Sequence, residues 1–414
     1  MRYRQLPTKG ILFLLTLSIF AAPLSYAQYS SAENSKRVST ATTETVLYSF
    51  TAGNDGFAPL GGLASDAAGD LYGTTEGGGA YDDGTVFKLT PNSGGGWTES
   101  VLYTFTGGDD GRYPAGGVIV DVAGNLFGTT AEAGASSDGT VFELTPASGG
   151  GWTFNTIHTF AGPDGANSYA GLIFDAAGNL YGTTRYGGAH GIGAVFELKP
   201  QPDGAWNESV LHSFADGRDQ GLPMGPLVFD KAGNLYGTNI GVYGYGVVFE
   251  LTRQSSGRWT ISVLEDFNGA GEYPQGALIL DSAGNLYGTT YEGGRGYGTV
   301  FELQKTSGAL WKLDILWNFS GGADGGYPVS ALSLGASGNL YGVAPTGGAN
   351  GAGVVYEVYR QGGAWVEDVL YNFTGGTDGA MPTCLTLASG DTFYGTTEFG
   401  RADGSGTVFE ITVP

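Results

Sequence analysis

The chain is poor in cysteine and in positive charge. Its 414 residues include one cysteine, Cys384, three histidines, and 18 lysines and arginines against 40 aspartates and glutamates, for a net charge of −22. A single cysteine excludes internal disulfides and thiolate zinc sites. Nucleic acids and anionic membranes bind clusters of Lys and Arg, so we expect neither as a partner.

Long hydrophobic runs are also missing, except at the N-terminus. Three basic residues precede an apolar run over residues 11–22, and Ser25-Tyr26-Ala27 places small residues where a signal peptidase reads them. This pattern is typical of a secretory signal peptide, and the run is shorter than a membrane span of about 20 residues. We predict a signal peptide over residues 1–27, cleavage before Gln28, no membrane span afterwards, and a secreted protein, extracellular or periplasmic.

Glycine is abundant, with 76 residues, and it recurs with a period. Seven copies of a Gly-Asn/Asp-Leu-Tyr-Gly-like segment follow one another at intervals of 51 to 55 residues. Their aromatic residues are Tyr72, Phe127, Tyr181, Tyr236, Tyr287, Tyr341 and Tyr394. Each glycine inside a helix would cost about 1 kcal/mol, which argues against a helical array. The period and the Val/Ile-rich segments predict a β-propeller.

The two ends of the chain indicate how the ring closes. Each repeat holds four strand-like segments, but the last repeat, residues 382–413, holds only three. Residues 43–50 (TETVLYSF) match the fourth segment of the first repeat, residues 98–105 (TESVLYTF). We therefore predict an all-β, seven-bladed propeller over residues 44–414, with four-stranded blades of about 53 residues and an N-terminal strand that completes the last blade. Residues 28–43, rich in Ser and Thr, are expected to form a flexible lead-in.

The repeat motifs carry a family resemblance. Asp-x-Ala-Gly-Asn-Leu-Tyr-Gly-Thr-Thr, Gly-Thr-Val-Phe-Glu-Leu and Val-Leu-Tyr-x-Phe, found between Val46 and Val413, resemble the GloVer tandem repeat of secreted bacterial choice-of-anchor proteins. The Gly-Asn-Leu-Tyr hairpin is also similar to that of NHL-type propellers, which implies that the strand before it lines the central channel. Two loop types then share one face, the loop face: the loop from the fourth strand to the next first strand, and the loop from the second to the third strand.

Candidate functional residues lie in the loops of that face. Tyrosine has a flat apolar ring with a polar tip and suits sugars or peptides, and arginine recognises carboxylates or phosphates. The ligand-binding residues that we predict are Arg185, Tyr186, His190, Tyr243, Tyr245, Arg295 and Tyr297. The alternative is that tyrosines pack between blades and that the loop arginines, including Arg112, Arg218 and Arg401, pair with neighbouring acids.

Two sets of aspartates recur with the repeat. The loop-face set lies four residues before Pro, and its members are Asp55, Asp110, Asp219, Asp324 and Asp378. This set favours turns in which Asp bonds its own backbone, and a ring of Ca²⁺ ligands is the alternative. A second set, at the first hairpin of each blade, is interpreted as turn caps; its members are Asp66, Asp121, Asp175, Asp230 and Asp281. We expect no other cofactor.

The sequence favours binding over catalysis. It contains no Gly-x-Ser-x-Gly, His-Glu-x-x-His or phosphate loop, and the stretches expected at the channel mouth hold small residues such as Gly61-Gly62. We therefore expect a monomeric extracellular module that binds a glycan or a protein surface. A secreted polysaccharide hydrolase or lyase and an architectural envelope protein are the alternatives. A convergent pair of carboxylates, or His190 bonded to an acid, would favour the enzyme.

Overall fold

The computed structural model describes residues 42–215, 217–306, 310–400 and 404–413. Every regular element in these ranges is a β-strand, and the strands form seven four-stranded antiparallel sheets. Each sheet is one blade of a seven-bladed β-propeller, which confirms the predicted fold. The predicted signal peptide lies outside the described residues. Within them, no helix has the length and apolarity that a membrane crossing requires.

The blades are numbered along the chain. Blade 1 contains β2 (Ala64–Ser65), β3 (Leu71–Thr75), β4 (Thr85–Pro91) and β5 (Trp97–Thr104). Blade 2 contains β6 (Val118–Val120), β7 (Leu126–Thr130), β8 (Thr140–Pro146) and β9 (Trp152–Thr159). Blade 3 contains β10 (Ile173–Phe174), β11 (Leu180–Thr184), β12 (Ala194–Pro200) and β13 (Trp206–Ser213). Blade 4 contains β14 (Val228–Phe229), β15 (Leu235–Asn239), β16 (Val247–Arg253) and β17 (Trp259–Asp266).

The remaining blades follow the same order. Blade 5 contains β18 (Ile279–Leu280), β19 (Leu286–Thr290), β20 (Thr299–Lys305) and β21 (Trp311–Asn318). Blade 6 contains β22 (Ser333–Leu334), β23 (Leu340–Ala344), β24 (Val354–Gln361) and β25 (Ala364–Asn372). Blade 7 contains β26 (Ala380–Ser389), β27 (Thr392–Phe399), β28 (Thr407–Thr412) and the N-terminal strand β1 (Thr43–Ser49).

Strand β1 behaves as the fourth strand of blade 7. It pairs antiparallel with β28, and its register shifts between Val46 and Tyr48. The third and fourth strands of blade 1 show the same shift between Val86 and Phe87, so the repeat motif dictates the bulge as well as the strand. The predicted closure by an N-terminal strand is confirmed.

The core consists of seven apolar clusters, one between each pair of neighbouring blades. The Phe that follows each fourth strand inserts against the third-strand aromatic of the next blade. These ring pairs are edge-to-face, with centroids 5.0 to 5.2 Å apart. Phe50 and Phe87 form the pair that joins blade 7 to blade 1. Full burial of each such ring stabilises the fold by roughly 1.5–3 kcal/mol.

Close packing explains both the glycine that follows Leu-Tyr in the repeat motif and the glycines near the central axis. A Cβ at Gly73 would come within 2.6 Å of the Phe87 ring, which explains why Gly follows Leu-Tyr in the motif. All seven blades line a central cavity of about 500 Å³ with the segments at or just before their first strands. This lining confirms that the first strand is innermost.

At the central axis, blades 1 and 2 approach each other too closely for side chains. A Cβ on Gly61 would lie 2.2 Å from the backbone nitrogen of Gly117, so the two blades contact each other there through glycine.

Candidate functional site

The loops of the loop face are tied together by one backbone hydrogen bond at each blade junction. A residue near the start of each first strand adopts a positive φ of 52° to 60° and donates its N–H to a carbonyl in the preceding blade. These bonds are Ala58 to Ser405, Tyr113 to Asp83, Asn167 to Asp138, Leu222 to Ile192, Tyr273 to Tyr245, Tyr327 to Tyr297 and Met381 to Ala352. Positive φ is strained for residues other than Gly and Asn. The surrounding structure therefore holds these loops in a set position.

Exposed aromatic side chains are confined to this face. Within the described ranges six aromatic residues are exposed, and all six lie in second-to-third loops or at the loop-face end of β27. Their exposed fractions are Tyr81 62%, Tyr186 40%, Tyr243 86%, Tyr245 45%, Tyr297 37% and Phe399 42%. Four of the predicted binding residues, Tyr186, Tyr243, Tyr245 and Tyr297, are therefore accessible to a ligand.

The seven predicted binding residues do not form one contiguous contact set. The Arg185 guanidinium lies 5.3 Å from the Tyr186 ring centroid, and Tyr245 and Tyr297 pack against first-loop tyrosines at 6.3 and 5.4 Å. His190 and Arg295 are exposed. In the described part of the chain, no hydrogen bond, ion pair or ring contact joins members from different blades, and none joins His190 to an acid.

The loop arginines differ from one another. Arg112 forms an ion pair with Glu132, with Nη2 2.6 Å from Oε2, as the pairing interpretation predicts. Arg185 instead stacks over Tyr169, at 5.7 Å, and Tyr186, and its Nε is buried without a partner among the described residues. Arg218 is exposed, and Arg401 lies outside the described residues.

The loop-face aspartates serve their own turns. Asp55 accepts hydrogen bonds from the Thr51 amide at 2.8 Å, the Thr51 hydroxyl at 2.7 Å and the Tyr48 hydroxyl at 2.9 Å. Asp110 and Asp378 repeat the pattern. Asp219 accepts from Ala215 and contacts His212, which replaces the tyrosine, and Asp324 accepts from Ser320. These are the contacts of the turn interpretation. The described residues contain no group of three or more His, Cys, Asp or Glu placed to hold a metal ion.

The aspartates on the opposite face, the hairpin face, cap the first hairpins as predicted. Asp175 accepts from the Ala177 and Asn179 amides at 2.8 and 2.9 Å, from the Asn179 side chain at 2.7 Å and from the Tyr181 hydroxyl at 3.2 Å. Burial raises the pKa of this carboxyl, but these hydrogen bonds outweigh burial and hold the pKa below its ordinary value. The pKa values of the equivalent Asp230 and Asp281 are also lowered, because their hydrogen bonds outweigh burial.

Two loop-face glutamates, one of which lines the central cavity, were missed from the sequence. Glu398, near the end of β27, lines the central cavity. Glu76 follows β3 in the adjacent blade 1 and interacts electrostatically with Glu398. Burial chiefly raises the pKa of both groups; a neighbouring carboxylate adds to it, Glu132 for Glu76 and Glu76 for Glu398. The small residues that the sequence predicts at the channel do line the cavity, and Glu398 lines it as well.

The signal for this pair was present but was scattered along the chain. Both glutamates follow Thr-Thr, at Thr74-Thr75 and Thr396-Thr397, and they lie 322 residues apart in sequence. Only closure of the ring between blades 7 and 1 makes them neighbours. The other five repeats carry Ala131, Arg185, Ile240, Tyr291 and Pro345 at this position. The acidic pair is therefore a local feature of one junction.

No curated protein matches the chain. Among solved structures, the chain is similar to a protein from Thermus thermophilus that was assigned as an oxidoreductase (glucose dehydrogenase). The two share 14% identity with a TM-score of 0.42, over 89% of this chain and 99% of that one.

The family is shown by the repeat itself. The model of the Gloeobacter/Verrucomicrobia repeat matches residues 35–241 and again residues 238–414. These two matches together span the whole propeller, from the N-terminal closing strand to the end of blade 7. The chain therefore belongs to the Gloeobacter/Verrucomicrobia repeat family.

Proposed function

We propose that this protein is an exported binding module that holds an extracellular glycan on its loop face. The observation that carries the proposal is the confinement of all six exposed aromatics of the described residues to that face. Aromatic rings with a polar tip stack on sugar rings and donate hydrogen bonds at the same time. The strained junction residues preset the loops, which lowers the ordering cost of binding.

Two further observations support an exported glycan binder. The N-terminal residues have the pattern of a signal peptide, although they lie outside the described structure. The strong excess of acids over bases disfavours anionic ligands and is compatible with neutral or cationic sugars.

A polysaccharide hydrolase is the second candidate. Glu398 lines the central cavity and interacts electrostatically with Glu76. Burial raises the pKa of both partly buried carboxyl groups. Glycosidases use two such groups, one as an acid and one as a base or nucleophile. The hydrolase requires cleavage of a bound glycan, so product analysis separates it from the binding module.

The test is a glycan array on the purified protein, followed by titration of any ligand found. We expect Tyr243→Ala, and the double variant Tyr186→Ala/Tyr297→Ala, to weaken binding at least tenfold while the melting temperature stays unchanged. Val122→Ala is the matched control, because Val122 is fully exposed on the hairpin face. An array without any bound glycan, or aromatic variants that bind as tightly as the control, would overturn the proposal.

A further inference from the structure

We propose a second binding site on the hairpin face, in a groove between blades 3 and 4, which takes an aromatic ring that carries a carboxylate. This site lies opposite the loop face and does not depend on the proposed glycan binding. Three observations carry it: the aromatic lining of the groove, two basic side chains without a partner among the described residues, and a tryptophan ring that its neighbouring base leaves uncovered.

The groove has a volume of about 580 Å³ and is lined by the first hairpins of both blades. Its aromatic residues are Phe174 and Tyr181 from blade 3 and Phe229 and Trp259 from blade 4. The Tyr181 ring is buried and packs edge-to-face on Phe229, with centroids 5.0 Å apart, whereas the other three residues are half-buried. The groove therefore offers partly exposed ring surfaces that packing between the blades holds in place, which suits a flat apolar ligand.

Two basic residues, Lys231 and Arg253, also line the groove, and both are exposed. Among the described residues, neither side chain has a hydrogen bond, an ion pair or a ring contact. Lys231 follows the turn aspartate of blade 4, and Arg253 is the cross-strand partner of the fourth-strand tryptophan. At the first position the blades with the same turn have Ala67, Val122, Ala176 and Ser282, and at the second position blades 1 to 3 have Pro91, Pro146 and Pro200. Only the repeat of blade 4 has a base at both positions, so positive charge is concentrated here although the chain as a whole is acidic.

The two aspartates that line the groove are already saturated with hydrogen bonds. Asp230 accepts from the Ala232 and Asn234 amides at 2.8 and 2.9 Å. It also accepts from the Asn234 side chain at 2.9 Å and from the Tyr236 hydroxyl at 3.2 Å. Asp175 accepts the four equivalent bonds in blade 3. Because a carboxylate offers about four acceptor positions, the charged groups of the groove have only the donors of the two basic side chains left for a ligand.

The tryptophan of the groove differs from its equivalent in the next blade. In blade 5, Lys305 is the cross-strand partner of Trp311 and lies over its ring, with Nζ 5.5 Å from the ring centroid. In blade 4, Arg253 and Trp259 are paired in the same register, but the Arg253 guanidinium makes no such contact with a described ring. Cross-strand partners are neighbours on the sheet, so the ring and the guanidinium are both open to one ligand.

These features favour an aromatic carboxylate over a cationic or neutral ligand. A carboxylate accepts charge-assisted hydrogen bonds from both guanidinium and ammonium groups, and arginine binds it with two parallel bonds. The aromatic ring of such a ligand would stack on the half-buried ring surfaces. A cationic ligand would be repelled by Lys231 and Arg253, and it would find no free acceptor on Asp175 or Asp230.

The experiment titrates the purified protein with three naphthalene probes near neutral pH and follows the probe signals by NMR. The probes are 2-naphthylacetate, 2-naphthylacetamide and 2-(2-naphthyl)ethylamine, which share one ring system and are anionic, neutral and cationic. We expect the acetate to bind about fivefold more tightly than the other two, because only it pairs with both bases. The double variant Lys231→Gln/Arg253→Gln should lose this preference and keep its melting temperature, since both side chains are exposed.

Two matched controls separate the groove from the general charge of the protein. Lys305→Gln/Lys312→Gln removes the same two charges from β20 and β21 of blade 5, and it should keep the preference for the acetate. Ala232→Trp places a large side chain at an exposed position in the groove lining and should block all three probes. Ala123→Trp, at the equivalent exposed turn position of blade 2, should bind the probes as the parent protein does.

Each outcome has one consequence. Equal binding of the three probes, or tightest binding of the ethylamine, overturns the carboxylate class. A preference that persists in Lys231→Gln/Arg253→Gln, or that is lost equally in Lys305→Gln/Lys312→Gln, overturns the assigned groove, as does unchanged binding in Ala232→Trp. A parent protein that binds none of the probes overturns the site. The glycan array tests the loop face separately, so the two proposals stand or fall independently.

Discussion

The hairpin-face aspartates and the loop-face glutamates Glu76 and Glu398 have opposite environments. On the hairpin face Asp175, and its equivalents in neighbouring blades, accept hydrogen bonds from their own turns and have lowered pKa values. On the loop face Glu76 and Glu398 have no such donors among the described residues, and burial raises their pKa values. The satisfied acids recur in most repeats, whereas the unsatisfied pair occurs at one junction. The difference in pKa therefore follows the number of hydrogen-bond donors that each carboxyl group receives from its own turn.

A third group of carboxyl groups lies at the outer edge of the ring. They recur in several blades, as the hairpin-face aspartates do, but their pKa values are raised, as those of Glu76 and Glu398 are. Glu44, Glu99, Glu208 and Glu367 occupy the same position in fourth strands, and each has one buried oxygen without a partner among the described residues. Each also faces the loop aspartate of the preceding blade, respectively Asp378, Asp55, Asp164 and Asp324. Tyr371 and Tyr48 face Glu44 and Glu99 as well. Burial first, and the facing aspartate second, raise the pKa to about 7 for Glu44, Glu99 and Glu208 and to about 8 for Glu367.

The largest expected effect on stability comes from removing an aspartate that accepts several hydrogen bonds. Asp175→Ala leaves two backbone amides, the Asn179 side chain and the Tyr181 hydroxyl with fewer acceptors. Since hydrogen bonds to a charged group contribute about 1.5–3 kcal/mol each, and the freed donors regain some water, we expect a loss of about 2–3 kcal/mol in the free energy of unfolding. Urea titration measures it.

The control for Asp175 is Asp203→Ala. Asp203 accepts a single exposed hydrogen bond, from the Ala205 amide at 3.1 Å, so its removal should cost less than about 1 kcal/mol. Equal losses in the two variants would contradict the view that the hairpin-face acids stabilise the blades through their multiple donors.

The outer-edge glutamates predict a pH dependence of intermediate size. Their folded pKa values lie above the ordinary 4.5, so folding favours the protonated form. Their contribution to stability is therefore fully present below about pH 4.5 and is lost as the pH rises through 7 to 8. Because solvent screens these partly exposed groups, we expect a combined loss of about 2 kcal/mol between pH 5 and pH 8.

The quadruple variant Glu44→Gln/Glu99→Gln/Glu208→Gln/Glu367→Gln tests that origin. We expect the urea midpoint to change less than half as much between pH 5 and pH 8 as it does in the parent protein. In the control variant Asp203→Asn, which changes an exposed carboxylate, the urea midpoint should change with pH as much as it does in the parent protein. If the urea midpoint of the quadruple variant changes as much with pH as that of the parent protein, other groups cause the pH dependence.

The sequence predicted the features that recur in every blade. The spacing of the Tyr-Gly motif and the match between residues 43–50 and 98–105 predicted seven blades and their closure, because each repeat forms the same strands and buries the same Phe. The electrostatic interaction of Glu76 with Glu398 could not be predicted in this way, since it depends on ring closure. The accessibility of Tyr243, compared with the partial packing of Tyr297, depends on loop conformation, which no repeat pattern specifies.

The smallest expected effect on stability comes from replacing Glu76 and Glu398. Its sign tests whether these glutamates differ from the hairpin-face aspartates. Glu76→Gln/Glu398→Gln removes two partly buried charges that lack a counter-charge among the described residues, so we expect the variant to be slightly more stable than the parent at pH 8. The gain should be below about 1 kcal/mol and should be smaller at pH 5 than at pH 8, because protonation of these two glutamates increases as the pH falls. Urea midpoints at the two pH values measure it, with Glu410→Gln, on β28, as the control. A loss of stability at pH 8 would mean that these glutamates stabilise the blades, as the hairpin-face aspartates do.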